Sequence, residues 1–348
     1  MSKRPTLAEN PLIGDWLDAY ASAFPDRPAL EFRGVTMSWQ DMQARVDQCA
    51  RAYVALGIQR GERIGFLCTP RPEAFISFLA AARIGALWVG LNPKYQHREL
   101  AYVVNDAKPR LLIGLRAVEG REHAAELQAL ADSEPTVENV VVIDDDAQAA
   151  DGLFAWAENT GAKVDAQAWA AARQHVQQTD PAMLVYTSGS SGSPKGVLLR
   201  QRELLRRSVT QNTRFPVQTY PVVINPLPIN HIGGMHFLSL FTFVGGGCIR
   251  FQEKLAPAEI VQAMRDQSIN MLYVVPMIFK LIVDEPEFEP RLLDNIEWFV
   301  FSGAAMATEL IDMVKAARCK VGLTYGMTET CGSVTYADLD ADTEVLAN

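Results

Sequence analysis

Residues 186–196, Tyr-Thr-Ser-Gly-Ser-Ser-Gly-Ser-Pro-Lys-Gly, combine the residue types of a phosphate-binding loop. The eleven residues include three glycines, four serines, a threonine and a lysine. Backbone N–H groups converge on an anion only where side chains leave room, and glycine leaves that room. The hydroxyl groups add hydrogen-bond donors, and Lys195 adds a positive charge. The segment therefore predicts a loop that holds a polyphosphate.

Three other interpretations of this loop fit less well. A Walker loop has Ser or Thr after its lysine, whereas Lys195 is followed by Gly196. A flexible Gly/Ser linker is disfavoured because apolar strand patterns lead directly into the loop (182–187) and out of it (197–199). A serine hydrolase of the nucleophile-elbow type needs G-x-S-x-G, which the sequence lacks, and the Pro-Lys-Gly end does not fit an amidase loop.

The overall composition excludes several classes of protein. The chain has 348 residues, of which 49% are hydrophobic and 21% charged, as expected for a globular protein with two packed lobes. Its formal net charge of -9 is a poor match for nucleic acid. No apolar run approaches the roughly 20 residues of a membrane span. The five scattered cysteines form no CxxC pair, which predicts reduced thiols in a cytoplasmic protein.

The elements that would position the loop alternate between strands and helices. Ser38 and Asp41 form a capping-box pattern at the start of a predicted helix over 39–57. A first set of strands is predicted at 63–68, 86–91, 110–114, 139–144 and 182–187, with helices at 73–85, 97–107 and 122–132. The Ala-, Asp- and Gln-rich stretch 144–180 is predicted as a peripheral hairpin or helix.

A second alternating set follows the loop. Its strands are predicted at 220–227, 248–252, 270–275, 297–302 and 320–325, with helices at 256–267 and 307–317. Strands separated by helix-length crossovers indicate parallel sheets with helices on both faces. The predicted fold class is therefore α/β with two doubly wound αβαβα lobes, one over 58–199 and one over 10–57 plus 200–335.

Three unusual segments follow predicted strands: 186–196, 302–306 and 325–330. In doubly wound sheets, ligands bind beyond the carboxyl ends of the strands. We therefore expect these three segments to form one composite site.

These segments resemble motifs of the adenylate-forming superfamily, which includes acyl- and aryl-CoA synthetases, luciferases and peptide-synthetase adenylation domains. The loop resembles the family's phosphate-loop signature, and 226–235, 301–306 and 325–330 resemble three further motifs in the family's order. Residues 90–113 resemble its early core segment. The resemblance spans about residues 10 to 335. It implies that 1–348 form an incomplete AMP-binding N-terminal domain in which most of the β-barrel subdomain is missing.

The resemblance also implies a nucleotide site. The residues that would close over the β- and γ-phosphates are Thr187, Ser188, Gly189, Ser190, Ser191, Gly192 and Lys195. The residues that would surround the base and the α-phosphate are Gly303, Ala304, Ala305, Tyr325, Gly326, Met327 and Thr328. Tyr325 would stack near the adenine and Thr328 would donate a hydrogen bond to the α-phosphate. Glu329 would hold Mg²⁺, which prefers carboxylate oxygens and substrate phosphates. Thr187, Lys195, Thr328 and Glu329 would be the catalytic groups.

The segment 226–235 implies an acid pocket. Its substrate-binding residues would be His231, Gly233, Gly234 and Met235, with His231 at the pocket mouth. The alternative is that His231 is a hydrogen-bonded structural residue. A helical metal site is disfavoured because His236 lies five positions later, not four.

The implied reaction is ATP-dependent activation of a carboxylic acid to an acyl-adenylate, followed by transfer to CoA. Two alternatives stay open: a module that binds a nucleotide or acyl-adenylate without complete catalysis, and an adenylation domain that passes the acyl group to a carrier protein. The family's ribose-binding Asp and C-terminal cap domain have no counterpart in the sequence. We therefore expect a separate C-terminal domain or self-association into a homo-oligomer. The acid, aliphatic or aromatic, is left open.

Overall fold

The computed structural model describes residues 5–7, 9–145, 152–187 and 194–347. Its strands are β1 (Pro28–Phe32), β2 (Val35–Ser38), β3 (Arg63–Leu67), β4 (Leu87–Leu91), β5 (Leu111–Leu115), β6 (Ala117–Val118), β7 (Arg121–Glu122), β8 (Asn139–Ile143), β9 (Pro181–Thr187), β10 (Lys195–Arg200), β11 (Val222–Asn225), β12 (Cys248–Phe251), β13 (Met271–Val274), β14 (Trp298–Ser302), β15 (Lys320–Met327) and β16 (Gly332–Tyr336).

The helices lie between these strands. They are α1 (Ile13–Ala23), α2 (Trp39–Ala55), α3 (Pro72–Arg83), α4 (His97–Ala107), α5 (Ala124–Ser133), α6 (Leu153–Gly161), α7 (Ala166–Gln174), α8 (Gln201–Arg214), α9 (Phe241–Val244), α10 (Pro257–Arg265), α11 (Pro276–Val283), α12 (Thr308–Ala316) and α13 (Thr343–Ala347). A π-helix covers Gly233–Leu240, and 3₁₀ turns cover Pro290–Asn295 and Thr328–Thr330. None of the described helices is long and apolar enough to cross a bilayer.

The first sheet has six strands in the order β10-β9-β4-β3-β5-β8. Its strands are parallel except for β10, which pairs antiparallel with β9. The predicted return of the chain to this sheet is seen where Met183 of β9 pairs with Trp88 of β4. Its inner strands β9, β4, β3 and β5 are largely buried, which explains why they read as apolar runs, whereas the edge strand β10 is mostly exposed. The predicted α/β class is confirmed.

The strands after residue 220, together with β1 and β2 from the start of the chain, form two four-stranded ladders, β11-β12-β1-β2 and β13-β14-β15-β16. They meet at Asn270: the Val222 N–H donates to Asn270 Oδ1 (2.8 Å), and the Asn270 N–H donates to the Val222 carbonyl (3.3 Å). The β1–β2 hairpin and β16 were not predicted as strands. β16 reverses direction immediately after a tight turn, so no helix-length crossover precedes it. The lobe boundaries 58–199 and 10–57 plus 200–335 stay predictions.

The first helix after the hairpin forms for the predicted reason. Ser38 Oγ accepts a hydrogen bond from the Asp41 N–H (3.1 Å), and Asp41 Oδ2 accepts one from the Ser38 N–H (3.2 Å). This capping box satisfies two helix-end donors. Trp39, Met42 and Val46 then lie on one buried face of α2. The stretch predicted as a peripheral hairpin or helix contains the helices α6 and α7.

The helix α3 lies in the centre of the molecule, and each of its residues is buried. Phe75 of α3 packs against Phe78, Phe243 and Phe251, with ring centroids 5.9–6.4 Å apart. Each such side chain contributes about 1.5–3 kcal/mol when it is fully buried. The packing of β12 against α3 through Phe251 belongs to a core cluster with residues from both halves of the chain, while a second cluster lies among residues 260–346.

Candidate nucleotide and acid site

The predicted phosphate loop connects the two strands of a hairpin at the edge of the six-stranded sheet. Thr187 at the end of β9 pairs directly with Lys195 at the start of β10. Five of the predicted loop residues lie outside the described residues: Ser188, Gly189, Ser190, Ser191 and Gly192. The structure therefore places the two ends of the loop.

Helix α4 supports both ends of this loop. The Tyr102 hydroxyl donates to the Pro194 carbonyl (3.0 Å), and the Tyr186 hydroxyl donates to Asp106 Oδ2 (2.6 Å). Burial and the hydrogen bond to Asp106 raise the pKa of Tyr186, so this phenol keeps its proton at neutral pH. These two hydrogen bonds thus hold both ends of the loop against α4 without a ligand.

One cavity of about 520 Å³ brings the three unusual segments together. Its polar and small lining residues are Thr187, Lys195, Ser302, Gly303, Gly326, Thr328 and Glu329. Its other lining residues are Leu227, Pro228, His231, Ile232, Gly233, Phe237, Tyr273, Val274, Val275 and Met327. The cavity therefore has a polar part at the hairpin mouth and an apolar part beside the π-helix.

The turn that carries Thr328 and Glu329 is held by its own hydrogen bonds. The Met327 N–H donates to Thr330 Oγ1 (3.1 Å), and this hydroxyl lies 2.8 Å from the Gly332 carbonyl. Thr328 is 5% exposed, whereas the Glu329 side chain is exposed. In the described part of the chain Glu329 has no ion-pair partner within 4 Å. Its carboxylate is thus available to a cation at the cavity.

Buried hydroxyl groups support the floor of the cavity. The Tyr273 hydroxyl lies 3.0 Å from Thr324 Oγ1, and Ser333 Oγ donates to the same oxygen (2.9 Å). Burial raises the pKa of Tyr273 to about 12, so it stays neutral. The network ties β13, β15 and β16 together beneath the cavity. Ser302 and Tyr273 line the cavity, and the motifs gave Ser302 no role in the site.

A second cavity of about 490 Å³ adjoins the first and shares Gly303 and Gly326 with it. The predicted base-binding residues that line it are Gly303, Ala304, Ala305, Tyr325 and Gly326. Gly303 has φ +89°, a conformation that favours glycine. A Cβ atom on Gly326 would lie 2.1 Å from the Gly332 carbonyl oxygen. Glycine at these two positions is therefore explained by the backbone, whether or not a ligand binds there.

His231 lies at the first cavity, where it is partly exposed. Its Nδ1 accepts a hydrogen bond from the Gly233 N–H (3.1 Å), which places the ring proton on Nε2. Desolvation lowers the pKa of His231, so the ring is neutral at pH 7. A neutral ring with a free Nε2–H can donate one hydrogen bond to a ligand.

Of the other three residues predicted for the acid pocket, one lines the cavity and two do not. Gly233 lines the cavity. Gly234 and Met235 are not among the described lining residues: a Cβ on Gly234 would lie 2.4 Å from the Pro228 carbonyl, and Met235 is 1% exposed in the core. Both residues pack behind the wall because a helix turns its successive residues in different directions. Phe237 takes the lining position, which the apolar sequence around it did not distinguish.

The sequence model of the family "AMP-binding enzyme" matches residues 17–347, and the chain belongs to this family. It is 24% identical to an indoleacetate–CoA ligase of Aromatoleum aromaticum, covering 93% of this chain and 61% of the relative. It is 26% identical to the acyl-CoA ligase sidI of Aspergillus fumigatus, covering 94% and 58%. The chain thus spans about three fifths of the length of these relatives.

The fold is also that of solved structures of the family. The apo structure of MatB from Rhodopseudomonas palustris superposes with a TM-score of 0.81 at 25% identity, covering 96% of this chain and 62% of that one. The resemblance to the adenylate-forming family and the α/β fold predicted from the alternation of strands and helices are confirmed.

Proposed function

We propose that this chain is the nucleotide- and acid-binding part of an acid–CoA ligase. The observation that carries the proposal is the single cavity whose polar part holds Thr187, Lys195, Thr328 and Glu329 and whose apolar part lies beside it. A substrate with a carboxylate head and an apolar tail fits this division. The names of the relatives, which are CoA ligases, support the same reaction class.

The reaction proceeds in two steps. A carboxylate is a poor acyl donor, so one of its oxygens attacks the α-phosphorus of ATP and pyrophosphate leaves, which forms an acyl-adenylate. The CoA thiolate then attacks the acyl carbon, and AMP leaves with the bonding electrons. Lys195 and the hairpin-mouth hydroxyl of Thr187 stabilise the charge on the phosphates, and Thr328 donates to the α-phosphate. The protein thus acts by positioning and electrostatics, without a covalent intermediate of its own.

The residues at the polar part fit Mg²⁺ bound together with a nucleotide. The described residues contain no group of three or more His, Cys, Asp or Glu side chains that could hold a metal by themselves. Mg²⁺ is commonly held by one or two carboxylates plus substrate phosphates, and Glu329 supplies one carboxylate. When bound, the ion neutralises charge on the phosphates.

The proposed substrate is an apolar monocarboxylic acid. Lys195 is the one Lys or Arg side chain among the described residues that line the cavity, and it lies at the polar part. A second carboxylate at the apolar part would therefore lose its hydration without gaining a cation. Aliphatic and aromatic acids both satisfy this condition.

A second candidate is a module that binds nucleotide or acyl-adenylate without full turnover. The matched part, which contains the cavity, covers 61% and 58% of the length of the two relatives. Groups from the remaining part of such relatives would then be needed for turnover.

Pyrophosphate release with MgATP and a panel of acids distinguishes these candidates. The panel contains butanoate, octanoate, phenylacetate and malonate, and each assay is run with the chain alone and with an added C-terminal domain of a relative. We expect pyrophosphate release with each of the three apolar acids in at least one of the two conditions, and no release with malonate in either condition. Nucleotide binding without release under both conditions would favour the binding module, and absence of nucleotide binding would contradict both candidates.

A further inference from the structure

The apolar part of the cavity is bounded by the π-helix Gly233–Leu240, in which Phe237 lines the cavity. Buried polar groups hold this wider turn. Asn225 Nδ2 donates to the Gly234 carbonyl and to Ser239 Oγ (both 2.9 Å), and Ser239 Oγ donates to the Gly234 carbonyl (2.8 Å). π-helical turns are rare and frequently occur at functional sites. The position of Phe237 thus depends on how this helix is anchored.

His236 anchors the π-helix to α8. Its Nε2 lies 3.1 Å from the Leu204 carbonyl and 3.2 Å from Ser208 Oγ. Because a carbonyl only accepts, Nε2 carries the ring proton and donates it to Leu204. Burial lowers the pKa of His236 to about 4, so the ring is neutral. Its Nδ1 is buried and has no hydrogen-bond partner among the described residues.

The other face of the His236 ring meets a residue that has no side chain. Gly332 has φ +99°, and a Cβ built on it would lie 2.8 Å from His236 Nδ1 and 3.5 Å from Phe237 Cζ. Gly332 directly follows the turn that carries Thr328 and Glu329. The imidazole thus fills the space between α8 and this glycine.

Phe237 is held between two rings. Its centroid is 5.7 Å from that of His236 and 5.6 Å from that of Tyr273, and only 8% of the residue is exposed. The hydroxyl network already fixes Tyr273 on the far side. Movement of Phe237 away from the cavity is therefore blocked by the His236 imidazole and its contact with Gly332.

We propose that His236 is a positioning residue that, together with Gly332, sets the depth of the acid pocket by holding Phe237 as its end wall, which restricts the substrate to compact apolar acids. This inference rests on the proposed function. His236 itself does not line the cavity, so it acts through Phe237. Removal of the imidazole would let Phe237 retreat, and a methyl group on Gly332 would press His236 and Phe237 toward the ligand.

The test uses two non-reactive mimics of the acyl-adenylate, the sulfamoyl adenosines that carry a butanoyl or an octanoyl group. Calorimetry with the whole chain gives the ratio of octanoyl to butanoyl affinity. We expect His236→Ala to raise this ratio about tenfold, which corresponds to about 1.4 kcal/mol. His236→Gln keeps an N–H donor for Leu204 and should retain the wild-type ratio. AMP affinity, measured in parallel, should stay within about twofold in each variant.

A double-mutant cycle separates this role from general packing. Gly332→Ala should lower the octanoyl to butanoyl ratio in the wild-type background and have little effect on it in the His236→Ala background. The backbone strain of alanine at φ +99° is common to both backgrounds and cancels in the comparison. If His236→Ala does not fold, Gly332→Ala alone tests the inference, and it should lower the ratio of octanoyl to butanoyl affinity.

The experiment distinguishes the failure of this inference from the failure of the proposed function. If the wild-type chain binds the mimics but the ratio is the same in His236→Ala and Gly332→Ala, His236 is only a structural residue and the inference fails while the proposed function stands. If the wild-type chain binds neither mimic, the proposed function fails and takes this inference with it.

Discussion

Lys195 and Glu329 carry opposite charges on the wall of the same cavity, and both side chains are exposed. Within the described residues neither one is within 4 Å of a side chain of opposite charge. Exposed charges contribute little to folding, since water solvates them well. Their placement at the ends of β10 and β15 is therefore better explained by a ligand than by stability.

Replacement of Lys195 by alanine should weaken MgATP binding roughly 10- to 150-fold, because a hydrogen bond to a charged group contributes about 1.5–3 kcal/mol. Calorimetry with MgATP measures the effect. Lys195→Arg keeps the charge and should retain most of the affinity. Lys163→Ala removes an exposed lysine between α6 and α7 and serves as the matched control. Unchanged affinity in Lys195→Ala would exclude Lys195 from the phosphate site.

His231→Ala should weaken binding of the butanoyl sulfamoyl adenosine and leave AMP affinity nearly intact, since His231 lies beside the apolar part of the cavity. Desolvation lowers the pKa of His231, so its neutral form persists below the ordinary value of 6.5. Mimic affinity should therefore be constant from pH 8 to pH 7 and change only as the pH falls below 6.5. Equal losses of mimic and AMP affinity would instead indicate a structural histidine.

The helix and strand patterns in the sequence predicted the bounds of several elements to within one or two residues. The predicted helix over 97–107 is α4, His97–Ala107, and the strand predicted over 139–144 is β8, Asn139–Ile143. Local pattern decides these elements because α4 has apolar residues at helical spacing and β8 is a short continuous apolar run. The π-helix at Gly233–Leu240 has no such signal, since the hydrogen bonds that hold it come from Asn225 of the preceding strand β11, outside the helix itself.

Removal of the cap of α2 tests one local signal. Ser38→Ala should lower the free energy of unfolding by about 1 kcal/mol, the usual cost of losing an N-cap side chain. Urea denaturation measures this change. Gln40→Ala alters an exposed position in the first turn of the same helix and should have little effect. Equal stability of Ser38→Ala and the wild type would show that the capping box contributes nothing here.

At the scale of the whole molecule, an ionic cluster joins the two halves of the chain. Arg71, which is fully buried at the start of α3, binds the Glu73 carboxylate (2.9 Å) and Asp145 (2.8 Å). Arg33, just after β1, contacts Asp145 (3.1 Å) and Glu253 (2.5 Å). These charged residues follow strands of two different sheets, the six-stranded sheet and the β11-β12-β1-β2 ladder. The cluster thus connects the two sheets near the ends of their strands.

This cluster predicts a pH dependence of stability. Desolvation would raise the pKa of Asp145, but hydrogen bonds from Arg33 and Arg71 outweigh it and hold the pKa below its ordinary value. The stabilisation is therefore complete above the unfolded-state pKa of about 3.9 and is lost as the pH falls through the lower folded-state value. In urea denaturation between pH 6 and pH 3, the free energy of unfolding should fall less with decreasing pH for Asp145→Asn than for the wild type. Identical slopes would contradict this role for Asp145.

The α/β class, the positions of most strands along the chain and the three segments proposed to form the site could be predicted from the sequence alone. Apolar periodicity and strand-end glycines are local properties, so they can be identified without tertiary contacts. The segments 186–196, 302–306 and 325–330 could be selected in this way, and Thr187, Lys195, Gly303 and Thr328, which the resemblance assigned within them, each line the cavity.

The residues of the apolar wall depend on tertiary contacts. The family motif implied Met235 as a substrate-binding residue and did not include Phe237, yet Met235 packs inward while Phe237 lines the cavity. The difference arises because a π-helix, anchored by His236 to the Leu204 carbonyl of α8, sets the direction of each side chain. Contacts between segments far apart in sequence fix that direction, so no local pattern could predict it.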